Sequence, residues 1–142
     1  MLKNRVALIT GATSGIGLGI AQALAAQGCA IGLNGSRPQD KIKPLAAEIA
    51  DSFGVRCVAL SADLGDPNAI IAMMARAQGE IGPIDILVND AGVQHVAPLA
   101  EFPPEKWDAV IAINLSAAFH TTRALLGPMI ARGWGRIVNI AS

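Results

Sequence analysis

Short apolar runs alternate along the chain with longer stretches whose apolar residues recur at helical spacing. Five runs are dense in Val, Ile and Leu and lie at residues 5–10, 29–34, 55–63, 85–90 and 136–142. Four stretches have a helical pattern and lie at residues 14–27, 39–52, 66–79 and 104–131. Strands without polar alternation are typical of a parallel sheet that is covered on both faces.

This alternation predicts an α/β fold with a Rossmann-like, doubly wound parallel sheet, formed by a single domain over residues 1–142. Right-handed crossovers through four helices would place the five strands in the order 3-2-1-4-5. The order in which strands are added to the sheet then reverses between the first and fourth strands, which is a topological switch point. Ligands of such sheets bind at this switch point, beyond the carboxyl ends of the strands.

The last helical stretch has a single apolar stripe with a period of about 3.6 residues. Its members are Trp107, Val110, Ile111, Asn114, Leu115, Ala118, Phe119, Thr122, Leu125 and Met129. We expect this stripe, including Trp107, to face the core. Pro128 is expected to kink or break the final turn, because proline cannot donate the helical hydrogen bond.

Charge and composition exclude several classes of partner. Eleven basic and eleven acidic residues cancel, and no Lys/Arg run is present, so neither nucleic acid nor an anionic membrane is favoured. No segment is expected to approach the roughly 20 apolar residues that span a bilayer. The expected location is the cytoplasm, with Cys29 and Cys57 kept reduced in the core. Two cysteines and two histidines at no recognisable spacing predict no metal site.

The segment TGATSGIG, residues 10–17, connects the first strand to the first helix. Gly11 would allow the tight turn, Gly15 the approach of a diphosphate to the backbone, and Gly17 the close packing of helix on strand. The free N–H groups at the start of the helix would then attract the anion. A purely structural turn is the alternative. No Lys-Ser/Thr pair follows Gly17, so the segment is not an ATP-type P-loop.

The motif Thr10-Gly11-x-x-x-Gly15-x-Gly17 resembles the cofactor motif of the short-chain dehydrogenase/reductase family. Further matches follow in the family's order over the whole chain. They are Asp63-Leu64 after the third strand, NDAG (residues 89–92) after the fourth, Asn114 in the long helix and Ser142 at the end of the fifth strand.

The resemblance implies a set of cofactor contacts from the glycine loop and from the ends of the third and fourth strands. These residues are Gly11, Thr13, Ser14, Gly15, Ile16, Gly17, Asp63, Leu64, Asn89, Asp90, Ala91 and Gly92. The family usually has a second Asn where this chain has Asp90, and a carboxylate there would add charge beside an anionic cofactor. A turn carboxylate is the alternative for Asp63, and a turn-stabilising amide for Asn89.

The choice between NAD and NADP depends on the end of the second strand, where the sequence is LNGSRP. Asn34 and Gly35 supply no carboxylate for the ribose hydroxyls, and Arg37 is either a partner for a 2'-phosphate or a solvated cation. A narrower resemblance, to the D-3-hydroxybutyrate dehydrogenases of the same family, rests on NDAGVQH, EFPPEKWDAVIAINLSAAFH and GWGRIVNIAS. That group also has a small neutral pair after the second strand, so NAD is the predicted cofactor.

The resemblance implies hydride transfer between NAD and a small hydroxy or keto acid, with Asn114 and Ser142 as catalytic residues and Gln94 as a contact of the substrate carboxylate. The family also needs a Tyr-x-x-x-Lys segment, and this chain contains no Tyr. We therefore expect the chain to correspond to the first half of the enzyme, with doubtful activity alone. Its uncovered fifth strand would pair in a homo-oligomer or with a complementing C-terminal chain. The alternatives are a non-catalytic nucleotide-binding module and another short-chain reductase, of the 3-oxoacyl-carrier-protein or sugar type.

Overall fold

The structure, a computed structural model, describes residues 2–141 and contains one parallel sheet. Its strands are β1 (Val6–Ile9), β2 (Ala30–Gly35), β3 (Cys57–Ser61), β4 (Ile86–Asn89) and β5 (Arg136–Asn139). Their order in the sheet is β3-β2-β1-β4-β5. The predicted fold class and strand order are therefore confirmed.

Helices cover the sheet from both sides. They are α1 (Gly15–Ala26), α2 (Gln39–Phe53), α3 (Pro67–Ile81), α4 (Pro104–Ile111) and α5 (Ala117–Arg132). A segment of wider, π-type helix, Ala112–Ser116, joins α4 to α5, so the two form one continuous helix over Pro104–Arg132. The fourth predicted helix therefore exists as a single rod with a local widening at Asn114.

The core has two layers because the side chains of a strand point alternately to opposite faces. Along β1, Ala7 and Ile9 pack with α1 and α2. Val6 and Leu8 pack on the other face with α3 and α5. Since both faces are apolar, all four residues of β1 are buried, as the absence of polar alternation predicts.

The long helix buries only part of the predicted stripe, Leu125 and Met129. Its buried side chains are Ala117, Thr121, Leu125 and Met129. Trp107, Leu115 and Phe119 are exposed, so the expectation that Trp107 lies in the core is wrong. Two faces of this helix carry apolar residues. Within the described residues, only the face toward the sheet is packed against other elements.

The same helix corrects two further expectations. It continues through Pro128 to Arg132, so proline neither breaks the final turn nor ends the helix. Over Pro104–Arg132 it has 29 residues and a mean hydropathy of 1.3 in its apolar window, which is long and apolar enough to cross a bilayer. A core helix of a soluble protein meets the same criteria, and this one packs on the sheet through Leu125 and Met129.

Candidate cofactor site

Thr10 joins the end of β1 to the segment after β4. Its hydroxyl oxygen accepts hydrogen bonds from the N–H groups of Asp90 and Ala91, at 3.0 and 3.1 Å. The Thr10 side chain is buried, and its own N–H donates to the Val88 carbonyl. These bonds hold the two segments together at the predicted switch point of the sheet.

Gly11 lies where no other residue fits. Its φ of +61° is in the left-handed region, and a Cβ atom would lie 2.7 Å from the Cα atom of Ala91. Both observations require glycine, because a side chain would be strained and would collide with backbone. The turn after β1 therefore passes directly against the end of β4.

Gly17 allows the first turn of α1 to approach the same loop. A Cβ atom at Gly17 would lie 2.2 Å from the Gly11 carbonyl oxygen and 2.6 Å from an Asp90 carboxylate oxygen. The close contact is thus with the loop and with Asp90, whereas the glycine spacing predicted contact with a strand. By contrast, a Cβ atom at Gly15 would meet only open space, although its φ of +57° favours glycine.

The start of α1 has free backbone donors. Ser14 occupies the N-cap position in an extended conformation, and its side chain makes no capping hydrogen bond. Since the first N–H groups of a helix have no intrahelical partner, this end can accept an anion. Ser14, Gly15 and Ile16 are exposed, so a ligand can approach them from solvent, and Thr13 lies beside them against Gly35.

Asp90 places a carboxylate at this end of α1. Burial raises the pKa of the Asp90 carboxyl, and a hydrogen bond from the Gly17 N–H partly offsets the rise. An acceptor within the protein therefore occupies one donor of the first turn. An anionic ligand at the start of α1 would meet this charge whenever Asp90 is ionised.

A cleft of about 140 Å³ brings the separate motifs together. It is lined by Gly11, Asn34, Ser36, Ala62, Asp63, Leu64, Ala91, Gly92, Val93 and Ile113. The lining combines the glycine loop, the end of β2, the segment after β3 and the segment after β4. Residues far apart in the sequence therefore meet at one point at the carboxyl ends of the strands.

Two residues assigned to cofactor contacts also have structural roles. The Asp63 carboxylate accepts a hydrogen bond from the Gly65 N–H at 2.8 Å, which is the turn role considered as its alternative. The Asn89 amide donates to the Asn139 side chain at 2.9 Å and accepts from the Thr121 hydroxyl at 2.7 Å. It connects β4 to β5 and α5, and Leu64 beside the cleft is buried in the core.

Asn114 lies in the π-type segment, and both the oxygen and the nitrogen of its side-chain amide bond to the backbone of Val93. Its oxygen accepts from the Val93 N–H at 2.7 Å, and its nitrogen donates to the Val93 carbonyl at 2.8 Å. Asn114 thereby fixes the loop after Gly92 at the edge of the cleft. Gln94 is exposed on that loop, and Ser142 lies outside the described residues.

Two residues at the site escaped the sequence assignment. Thr10 was part of the motif, but no feature of the sequence predicted its hydrogen bonds to the segment after β4. Asn34 was considered only for its lack of a carboxylate, yet its side chain contacts the glycine loop. The sequence signal that could have identified Asn34 is a polar residue at the end of an apolar run.

Comparisons with known proteins agree with this geometry. The family model described as short chain dehydrogenase matches residues 5–142. A D-beta-hydroxybutyrate dehydrogenase of Cupriavidus necator is 54% identical over 143 residues, covering 100% of this chain and 54% of the relative. Another, of Rhizobium meliloti, is 48% identical and covers 98% of this chain and 54% of the relative. The chain thus spans about half the length of the curated relatives it matches.

Solved structures share the fold over 99% of the chain. A gluconate 5-dehydrogenase from Burkholderia cenocepacia in complex with NADP and tartrate has a TM-score of 0.90 and 40% identity, and 55% of it is covered. A metagenomic short-chain oxidoreductase in complex with NADP has a TM-score of 0.92 and 37% identity, with 63% covered. Motifs, fold and relatives agree, and the chain belongs to the short-chain dehydrogenase family.

Proposed function

We propose that this chain forms the cofactor-binding half of an NAD-dependent oxidoreductase that interconverts D-3-hydroxybutyrate and acetoacetate. The observation that carries the proposal is the single cleft where the glycine loop, Asp63-Leu64 and Ala91-Gly92 meet. The two relatives named D-beta-hydroxybutyrate dehydrogenase support the substrate class.

The residues present fit a dinucleotide. The uncapped start of α1, with Ser14 and the open face of Gly15, suits a diphosphate. The cleft beside Asp63 and Leu64 suits an adenosine group, with one apolar wall and one carboxylate. When bound, the nicotinamide supplies hydride transfer, whereas the chain binds and orients the cofactor.

NAD is the proposed cofactor, and NADP is the competing one. The support for NAD is the small neutral pair Asn34-Gly35 shared with the hydroxybutyrate dehydrogenases. Arg37 and the NADP complexes among the similar structures favour NADP. Calorimetric titration of the chain with each dinucleotide tests the choice, and a clear preference for NADP would contradict our proposal.

The proposed catalytic residues of this chain are Asn114 and Ser142, with Gln94 at the substrate carboxylate. Asn114 would act by holding Val93 beside the site. The sequence contains no Tyr to move the hydroxyl proton. We therefore expect no turnover of D-3-hydroxybutyrate with NAD by the chain alone, and turnover at ordinary enzyme rates would contradict the assignment.

A second candidate is a nucleotide-binding module without turnover, which would use the same cleft. Both candidates predict the same binding. They differ in whether a Tyr-x-x-x-Lys segment accompanies the chain, which the intact mass of the native particle would show. Another short-chain reductase is the third candidate, since a gluconate 5-dehydrogenase is 40% identical over 141 residues.

We further propose that a second copy or a complementing C-terminal chain covers α4, α5 and β5, and that the protein acts in the cytoplasm without nucleic acid or membrane. Leu115 and Phe119 supply the exposed apolar surface, beside an open groove that Arg123 also lines. Light scattering should show self-association that L115S/F119S reduces and that Arg123→Ser leaves unchanged. A monodisperse monomer would contradict this proposal.

A further inference from the structure

Asn34, at the carboxyl end of β2, is only 1% exposed, and both ends of its side-chain amide have partners. Its oxygen accepts a hydrogen bond from the Gly11 N–H at 3.1 Å. Its nitrogen donates to the Leu60 carbonyl on β3 at 3.0 Å. The amide therefore links the glycine loop after β1 to the neighbouring strand on the far side of β2.

The backbone of Asn34 adds a second link to the same loop. Its carbonyl oxygen accepts from the Ala12 N–H at 2.8 Å. Two successive N–H groups of the loop, those of Gly11 and Ala12, are thus held by one residue. Their orientation is fixed on the interior side, so the donors that remain for a ligand lie farther along, at the start of α1.

The position requires an amide. One partner of Asn34 donates and the other accepts, and an Asn side chain offers an acceptor and a donor together. A carboxylate could still accept from Gly11, but its second oxygen would face the Leu60 carbonyl and the Met73 sulfur, which lies 3.3 Å from the Asn34 nitrogen. A leucine would leave the part-buried Gly11 N–H without its partner.

We propose that Asn34 is a positioning residue for the cofactor loop, whose amide holds Gly11 against Ala91 and so places the diphosphate donors of α1. The inference rests on the proposed dinucleotide binding. It extends that proposal to a buried residue at the edge of the cleft, whose side-chain amide is already bonded to the glycine loop and to β3. The effect of Asn34 on the loop passes through Gly11, whose backbone lies close to Ala91.

Gln39 provides a matched control. Its amide accepts from the Ser61 N–H at 2.9 Å and donates to the Ala59 carbonyl at 2.7 Å, so it links the first residue of α2 to β3. Within residues 2–141, the Gln39 amide makes no hydrogen bond to the glycine loop. Asn34→Leu and Gln39→Leu therefore remove equivalent pairs of bonds, but only the first variant frees Gly11.

The test is calorimetric titration of the 142-residue chain with NAD, at a temperature where all variants are folded. We expect Asn34→Leu to weaken binding by about tenfold or more, since a small misplacement of binding groups is costly. Gln39→Leu should stay within about twofold of the wild type. Asn34→Asp should bind better as the pH falls, because a protonated carboxyl can again donate to Leu60.

Amide hydrogen exchange without cofactor supplies an independent readout. The Gly11 N–H should exchange faster in Asn34→Leu than in Gln39→Leu, because only the first loses its acceptor. Equal NAD affinity in Asn34→Leu and wild type, or unchanged Gly11 exchange, would overturn the inference. If the wild type binds no dinucleotide, the proposed function fails, while the exchange measurement still decides whether Asn34 positions the loop.

Discussion

The strands β4 and β5 end in the same two residues, Val and Asn, and have very different environments. They read ILVN and RIVN and pair residue for residue, with Val88 opposite Val138. Val88 is 3% exposed, whereas Val138 is 44% exposed. An apolar run therefore determines that a strand forms, but the neighbouring elements determine whether the strand is buried.

The same contrast divides the whole molecule. On the β1–β3 side, α1, α2 and α3 cover the sheet, and the glycine loop is held from Asn34 and Ala91. On the β5 side, the described residues leave the strand and one face of the long helix uncovered. The candidate cofactor cleft includes the strand ends of the first side, and Asn114, assigned to catalysis, belongs to the long helix of the second.

The largest loss of stability on the packed side is expected from a substitution that places a side chain against the glycine loop. In Gly17→Ala the new methyl group would overlap the Gly11 carbonyl, which is backbone and cannot rotate away. We expect a loss of about 3 kcal/mol in the free energy of unfolding. Urea unfolding followed by circular dichroism measures it.

Gly19→Ala is the control in the same helix, because a Cβ atom there meets nothing within 4 Å. It should raise the free energy of unfolding by about 0.5–1 kcal/mol through helix propensity. If both alanine variants were equally stable, α1 would not approach the loop as closely as the structure shows.

The paired valines sharpen the comparison between the two strands. Val88→Ala removes buried methyl groups and should cost about 2 kcal/mol in the free energy of unfolding. Val138→Ala, at the opposed position on β5, should change it by less than about 0.5 kcal/mol. Urea unfolding of both variants at low protein concentration makes the comparison. Equal losses would mean that β5 is covered in solution.

Sequence reasoning reached the fold because the strand and helix patterns carry it locally. The strand order followed from the right-handed crossover rule, and the glycine spacing located the turn between the first strand and the first helix. The helical pattern did not predict the buried face of the long helix, because both faces of that helix are apolar. The pattern at Trp107 or Phe119 could not show which face the sheet would take.

The candidate site was predictable only in part. The family resemblance assigned the glycine loop, Asp63 and Gly92 to one cofactor, in agreement with the rule that parallel strands present their carboxyl ends at one edge. The hydrogen bonds of Asn34 and of Asn114 were not predictable, since they join segments distant in sequence. Their partners are backbone groups of Gly11 and Val93, which no residue pattern identifies.

Substitution of Asp90 has the smallest expected effect, a change in NAD affinity, because a single charge at the edge of the site is removed. At neutral pH, Asp90→Asn should strengthen NAD binding by about two- to fivefold, since it removes a like charge near the diphosphate. Calorimetric titration measures the change. Asp40→Asn, in the first turn of α2, is the control and should leave the affinity unchanged.

The pH dependence of stability tests the same carboxyl independently of any ligand. Burial raises the pKa of Asp90 above its ordinary value of 3.8, so the folded chain binds this proton more tightly than the unfolded chain. The resulting stabilisation is fully present below pH 3.8 and is lost as the pH rises through the folded pKa. Relative to Asp90→Asn, the wild type should therefore lose stability over that interval and then level off. A wild type that gained stability there would show that the Gly17 hydrogen bond outweighs burial, and that this end of α1 favours the charge.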